Sequence, residues 1–185
     1  MRTSVFLSVL LLAGSVFALA ADEKEKKPAT IASVLNGNLS NEEEEFVPAA
    51  DALGEDKYSF APTAGEFKGA RTFAEQIKHV AAVNYILGAA ILGEKLPTGD
   101  EKGPAAMTSK AEIMKYLRDS FAYLHKALAT IDAKSAVGTV PGPFGDGPAP
   151  RLRLAAISLS HVMDHYGQLA VYLRMNGVIP PASRQ

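Results

Sequence analysis

Apolar residues in this chain recur at intervals of three and four in four separate stretches, with no alternating runs of the kind that would build a sheet. The clearest stretch holds Ile113, Leu117, Phe121, Leu124, Leu128 and Ile131, which a helix places on one side. This periodicity predicts an all-α fold, a four-helix bundle, because amphipathic helices with no sheet to cover must bury their apolar sides against one another. At 185 residues and 48% hydrophobic content there is material for one ordinary core and too little for two, so a single domain over residues 30–181 is expected.

Local signals bound the helices. The first is expected over 30–53, with Ile31, Val34, Leu35, Leu39, Phe46 and Ala50 inward and Gly54 closing it. The acidic run Glu42, Glu43, Glu44, Glu45 points around most of that helix and is expected to be a solvated face rather than a metal cluster. A connector with Tyr58, Phe60 and Phe67 is expected to cover the bundle end, with Gly65 and Gly69 at turns. Thr72 with Glu75 is a capping-box signature that opens the second helix, and Gly93 stops it. Residues 96–107 read as a loop; Ser109 with Glu112 then repeats the capping box and opens a third helix ending near Asp132. The Pro- and Gly-dense residues 140–150 forbid a helix and predict an irregular crossover. The fourth helix is expected over 151–176, with Gly177 as a left-handed cap and Pro180 and Pro181 preventing continuation. The connections at 96–107 and 140–150 are long enough to cross a bundle end, so strict up-down-up-down order does not follow.

The chain start reads as a processing segment: Arg2, an apolar run over 5–17, and Ala18, Leu19, Ala20 as a small-x-small site. A signal peptide over 1–20, a flexible charged leader over 21–29 and an exported, periplasmic protein are expected, with no stable membrane insertion once the signal is cut. An uncleaved anchor is the competing reading, since the run is barely long enough to span a bilayer. With 19 Lys and Arg against 20 Asp and Glu there is no basic excess, which argues against a nucleic-acid partner. The chain has no cysteine, which removes thiolate nucleophiles, zinc-thiolate sites and iron-sulfur ligation.

Leu154, Ile157, His161, His165, Leu169 and Tyr172 form one stripe along the fourth helix, so two histidines stand where core residues belong. Their spacing of four puts both imidazoles on the same side, one turn apart, able to share an ion. Burying them unpaired would be costly. His79 lies midway along the second helix at a depth suited to a third ligand, and three histidines resemble open, catalytic sites more than closed structural ones. A histidine hydrogen-bonded to a neighbouring helix is the alternative for His79. His125, on the flank of the third helix, reads as a boundary residue. Asp164, Gln168 and Asn84 are the candidates to hydrogen-bond a ligand or a bound water. The HExxH motif is absent, with Val162 at the position of its Glu, and no phosphate-binding glycine motif occurs. No nucleophile or general base can be named.

The fourth-helix segment running from His161 through His165, Tyr166, Gly167 and Gln168 to Asn176, Gly177 and the two prolines resembles the C-terminal signature of the DinB-like (DinB/YfiT-like) family of metal-binding four-helix proteins. The stretch from Thr72 to His79 is similar to the segment supplying that family's first histidine. The resemblance implies a divalent ion, zinc or nickel with manganese or iron also compatible, on His79, His161 and His165. Relatives in that family include thiol-dependent transferases and isomerases. The leading expectation is a metal-dependent, hydrolase-like enzyme acting on an unknown small molecule. A thiol-dependent S-transferase or isomerase and a non-catalytic periplasmic metal- or ligand-binding module are the alternatives, and an apolar helix face leaves a homodimer open.

Overall fold

The computed structural model describes residues 28–95, 100–145 and 147–184. The expected signal segment, and the leader up to residue 27, lie outside the described residues. Four helices carry the chain: α1 (Ile31–Asp51), α2 (Phe73–Leu92), α3 (Lys110–Leu128) and α4 (Arg151–Met175). None is long and apolar enough to cross a membrane.

Both expected capping boxes form. The Thr72 hydroxyl accepts from the Glu75 amide at 3.2 Å while the Glu75 carboxylate accepts from the Thr72 amide at 2.7 Å, and Ser109 and Glu112 do the same. A third box, Thr30 with Ser33, starts α1. Each satisfies two of the amides that a helix start leaves without a partner. Gly93 and Gly177 cap α2 and α4 at φ +70° and +74°, a region that costs a side-chain-bearing residue strain.

Several expectations need correction. Gly54 does not close α1: it has an ordinary φ of −62° and begins a short 3-10 turn, while Ala52 is the cap. As expected, helix α1 runs through Pro48, which has no amide to donate to the Glu44 carbonyl one turn back; both residues are exposed to water, and the fully buried Phe46, Ala49 and Ala50 hold the backbone by packing. Val34 is 53% exposed rather than inward. Helix α3 stops at Leu128, although Ile131 beyond it remains buried. Glu42 is not fully solvated: one carboxylate oxygen is buried without a partner, and burial followed by Glu45 pushes its pKa up to about 7. The crossover contains a minimal antiparallel ladder, β1 (Thr139–Val140) with β2 (Ala149–Pro150), where Thr139 faces Pro150 and Val140 faces Ala149.

Helix α2 packs on α3 and α4, and α1 packs on the same two, so α1 lies diagonal to α2 and α3 diagonal to α4. The chain therefore crosses the bundle between α1 and α2 and again between α3 and α4, while the 96–107 connection joins neighbours. Phe46, Phe73, Phe121, Ile77, Leu117 and Leu124 are fully buried between the helices, each worth about 1.5–3 kcal/mol relative to exposure.

The two crossings also set the α2–α4 pair. Phe73 and Ala74 amides donate to the carbonyls of Phe60 and Tyr58, pinning the connector to the start of α2, and the Tyr172 hydroxyl of α4 donates to the Arg71 carbonyl at 3.0 Å. Tyr58 and Phe60 pack on Phe73 and Tyr172, whereas Phe67 is exposed. At the other end α4 has Pro150 as its cap, with no side chain to accept. Its first amides donate instead to the carbonyls of Gly138 and Ala136, and the Arg151 side chain donates to the Ile91 carbonyl at the end of α2.

Candidate metal centre

The inner face of α2 carries a polar pair among apolar neighbours, Gln76 and His79, only 2% and 5% exposed. The facing side of α4 brings His161 and His165, the latter also 5% exposed. The three histidines named from the sequence meet there: ring centroids lie 4.5 to 5.0 Å apart, and one ligating atom from each falls within 4.8 Å of the others. Among the described residues this is the cluster of metal-ligating side chains able to hold an ion, and no carboxylate belongs to it.

Hydrogen bonds decide which nitrogens face inward. His79 Nδ1 lies 2.6 Å from the Glu101 carbonyl oxygen. A carbonyl only accepts, so Nδ1 carries the proton and Nε2 has a lone pair. That Nε2 stands 3.1 Å from His161 Nε2. Two nitrogens sharing a tetrahedral ion at about 2.0–2.1 Å stand roughly 3.4 Å apart, so the spacing fits a shared ion. His165 Nδ1 donates to Gln76 Oε1 at 2.6 Å, which likewise leaves its Nε2 with a lone pair. Gln76 Nε2 donates to Gln168 Oε1 at 2.7 Å, and Gln168 Nε2 donates to Asp164 Oδ2 at 3.1 Å.

His161 is the least satisfied of the three. The residue is half-buried, yet its Nδ1 is shut off from solvent with no hydrogen-bond partner. A buried nitrogen without a partner beside two converging lone pairs fits a ligand set better than a structural hydrogen-bond network. Burial, followed by repulsion from the other two imidazoles and from Arg71, pushes His161 down to about 3. Burial and His79 push His165 down to about 4, and burial also lowers His79. All three are neutral at physiological pH, the form in which imidazole ligates metals.

The carbonyl that orients His79 comes from the loop after α2. Lys78 anchors this loop by donating to the carbonyls of Pro104 and Met107, and Arg71 pairs with the Glu101 carboxylate at 3.3 Å. Gly103 allows the close approach: a Cβ there would stand 2.9 Å from the Lys78 carbonyl, and its φ is +72°. Arg71 and Lys78 also line a cleft of about 470 Å³, with Glu75 and Lys102; none of the three histidines lines it.

The other named residues separate. Asp164 and Gln168 join the network behind His165. Asn84 instead turns to α3, donating to Ser120 Oγ at 3.3 Å with its own carbonyl oxygen buried and unpartnered. Five residues beyond His79 is about 140° round the helix, which takes Asn84 off the α4 side. His125 bridges α3 to α1, with Nδ1 2.6 Å from Asn36 Oδ1 and Nε2 3.1 Å from Glu43 Oε2. Sequence reasoning missed Gln76, Arg71 and the Glu101 carbonyl. Gln76 had a signal, a polar residue three before His79 on the same face; a backbone carbonyl in a loop has none.

Residues 38–169 match the model of the DinB superfamily. The chain is similar in structure to a DinB-like protein from Bacillus cereus, at 21% identity and a TM-score of 0.64, over 82% of this chain and 96% of that one. At that identity the likeness speaks to the fold. No curated protein matches the chain.

Proposed function

This chain belongs to the DinB superfamily, and from that premise we propose that it is a metal-dependent, hydrolase-like enzyme in which His79, His161 and His165 hold one divalent ion, zinc or nickel. The observation that carries this reading is the 3.1 Å approach of two Nε2 atoms, one of which has its other ring nitrogen fixed as a donor by a carbonyl. An ion on three neutral imidazoles keeps its charge and would supply Lewis acidity toward a water, a thiol or a carbonyl. The protein's own part is to hold the three lone pairs together and to keep the imidazoles unprotonated by burial. The neighbouring cleft, with Arg71, Lys78 and Lys102 on its walls, offers room and positive charge for an anionic portion of a small substrate.

A specific observation favours a second reading, a non-catalytic metal- or ligand-binding module. Gln168 is bonded to both Asp164 and Gln76, and no carboxylate belongs to the histidine cluster, so no side chain stands out as a general base. If the reaction is instead S-transfer, the thiol must come from outside, because the chain has no cysteine.

The first test is metal content by elemental mass spectrometry on full-length protein purified without added metal, beside His161→Ala. About one equivalent in the parent and none in the variant is expected. No stoichiometric metal in the parent, even after incubation with zinc, nickel, manganese and iron, would end the metalloenzyme reading. Turnover of ester, amide or phosphoester probes then separates a hydrolase from a binding module, and dependence on added glutathione identifies a transferase.

A further inference from the structure

We propose that Asp164, through Gln168 and Gln76, sets the tautomer of His165, which makes Gln76 a positioning residue of the metal centre. The role in metal binding rests on the function proposed above; the tautomer does not.

The argument starts at the exposed end. An ionised carboxylate only accepts, so the Gln168 atom facing Asp164 at 3.1 Å must be the amide nitrogen. Its oxygen is thereby turned toward Gln76, which must present nitrogen in return, at 2.7 Å. The Gln76 oxygen is then left facing His165 Nδ1 at 2.6 Å, and Nδ1 must carry the hydrogen. Neither amide can turn over without setting two acceptors face to face. Each link fixes the next, so a carboxylate at the surface determines which nitrogen of a buried histidine keeps its lone pair.

The placement gives this direction a purpose. Gln76 is 2% exposed, so reversing it would bury unsatisfied polar groups, at a cost of about 1–3 kcal/mol each. His79 has its counterpart in the fixed Glu101 carbonyl, a backbone oxygen that cannot reverse. His161 has neither device, since its Nδ1 has no partner. Two of the three histidines are thus held with Nε2 inward before any ion arrives, and pre-orientation of this kind is worth about 10–100-fold in metal affinity.

The test reads the tautomer in metal-free protein by long-range proton–nitrogen NMR of the imidazoles, and zinc affinity separately by chelator competition. The parent is expected to show His165 protonated at Nδ1. Gln76→Leu is expected to shift His165 toward the Nε2-protonated form and to weaken zinc binding 10–100-fold. Because Gln76 is buried, Gln168→Leu on the half-buried rim serves as a second variant, with mixed tautomers and a smaller affinity loss expected. The sharpest readout is a reversal. Gln76→Glu alone sets the Gln168 oxygen against Asp164 and is expected to lower stability in urea unfolding while His165 Nδ1 still donates, whereas adding Asp164→Asn runs the chain backwards and is expected to restore that stability. A merely structural role for Gln76 would leave the His165 tautomer unchanged in Gln76→Leu. An Nε2-protonated His165 in the parent, a tautomer indifferent to Gln76→Leu and Gln168→Leu, or additive effects of Gln76→Glu and Asp164→Asn would overturn the relay. A parent that binds no zinc but keeps the Nδ1 tautomer would instead refute the metal reading and, with it, the positioning role.

Discussion

Histidines bridge helices on two sides of this bundle, and the two bridges are chemically opposite. Between α3 and α1, His125 has an oxygen acceptor within hydrogen-bond distance of each ring nitrogen, Asn36 on one side and Glu43 on the other. The Asn36 amide cannot turn over, since its nitrogen donates to the Ala32 carbonyl at 2.9 Å. Between α2 and α4, nitrogens face nitrogens, and oxygen partners are found only on the outward side of His79 and His165. A histidine with both nitrogens answered by oxygens is a structural link. A histidine whose nitrogen meets only another histidine's lone pair is a ligand in waiting. Burial alone does not separate the cases, because His125 and His161 are both half-buried.

Substitutions can break that contrast, beginning with the largest effect. His165→Ala should abolish stoichiometric metal uptake, while His125→Ala should leave metal content unchanged and cost about 1 kcal/mol in denaturant unfolding for its lost hydrogen bonds. Equal metal loss in both variants would erase the distinction.

A smaller effect is expected from acid acting on the metal-free protein. The folded state holds His161 near 3 and His165 near 4, below the ordinary value of 6.5. Between these limits the unfolded chain binds protons that the folded chain refuses. The stability linked to these groups is therefore fully present above about pH 6.5 and is lost as pH falls toward 3–4. Each such histidine contributes a slope of up to about 1.4 kcal/mol per pH unit. Urea unfolding from pH 7.5 to 5 should show a shallower fall for His161→Ala than for the parent, and parallel curves would contradict the assigned burial.

Gly103→Ala should push the loop off Lys78 and loosen the Glu101 carbonyl on His79. Zinc affinity is then expected to fall about 10-fold, by the general magnitude for groups that orient a ligand, and chelator competition would measure it. The smallest effect is expected at Asn84. Asn84→Leu removes a buried oxygen that has no partner, while Ser120 Oγ keeps its bond to the Leu117 carbonyl at 2.7 Å. Stability within about 1 kcal/mol of the parent and an unchanged metal content are expected. Loss of metal there would return Asn84 to the centre.

Much of the fold was legible because it is local. Thr72 with Glu75, Ser109 with Glu112, and the cap at Gly177 are contacts within a few residues, so side-chain chemistry and spacing state them directly. The pairing of His161 with His165 is equally local, one helical turn. A boundary failed where a glycine served a turn other than the expected cap, as at Gly54.

By itself, then, the sequence determined four helices, their starts and two of their ends, and the presence of two histidines on one apolar stripe. Only the tertiary structure decided that α2 lies beside α4 with His79 facing that stripe. It also decided that Gln76 reaches across to a residue 89 positions away and that a loop carbonyl closes on His79. The reason is physical: a hydrogen bond along a helix is fixed by the helix's own repeat, whereas one between helices exists only after the whole core has chosen its packing.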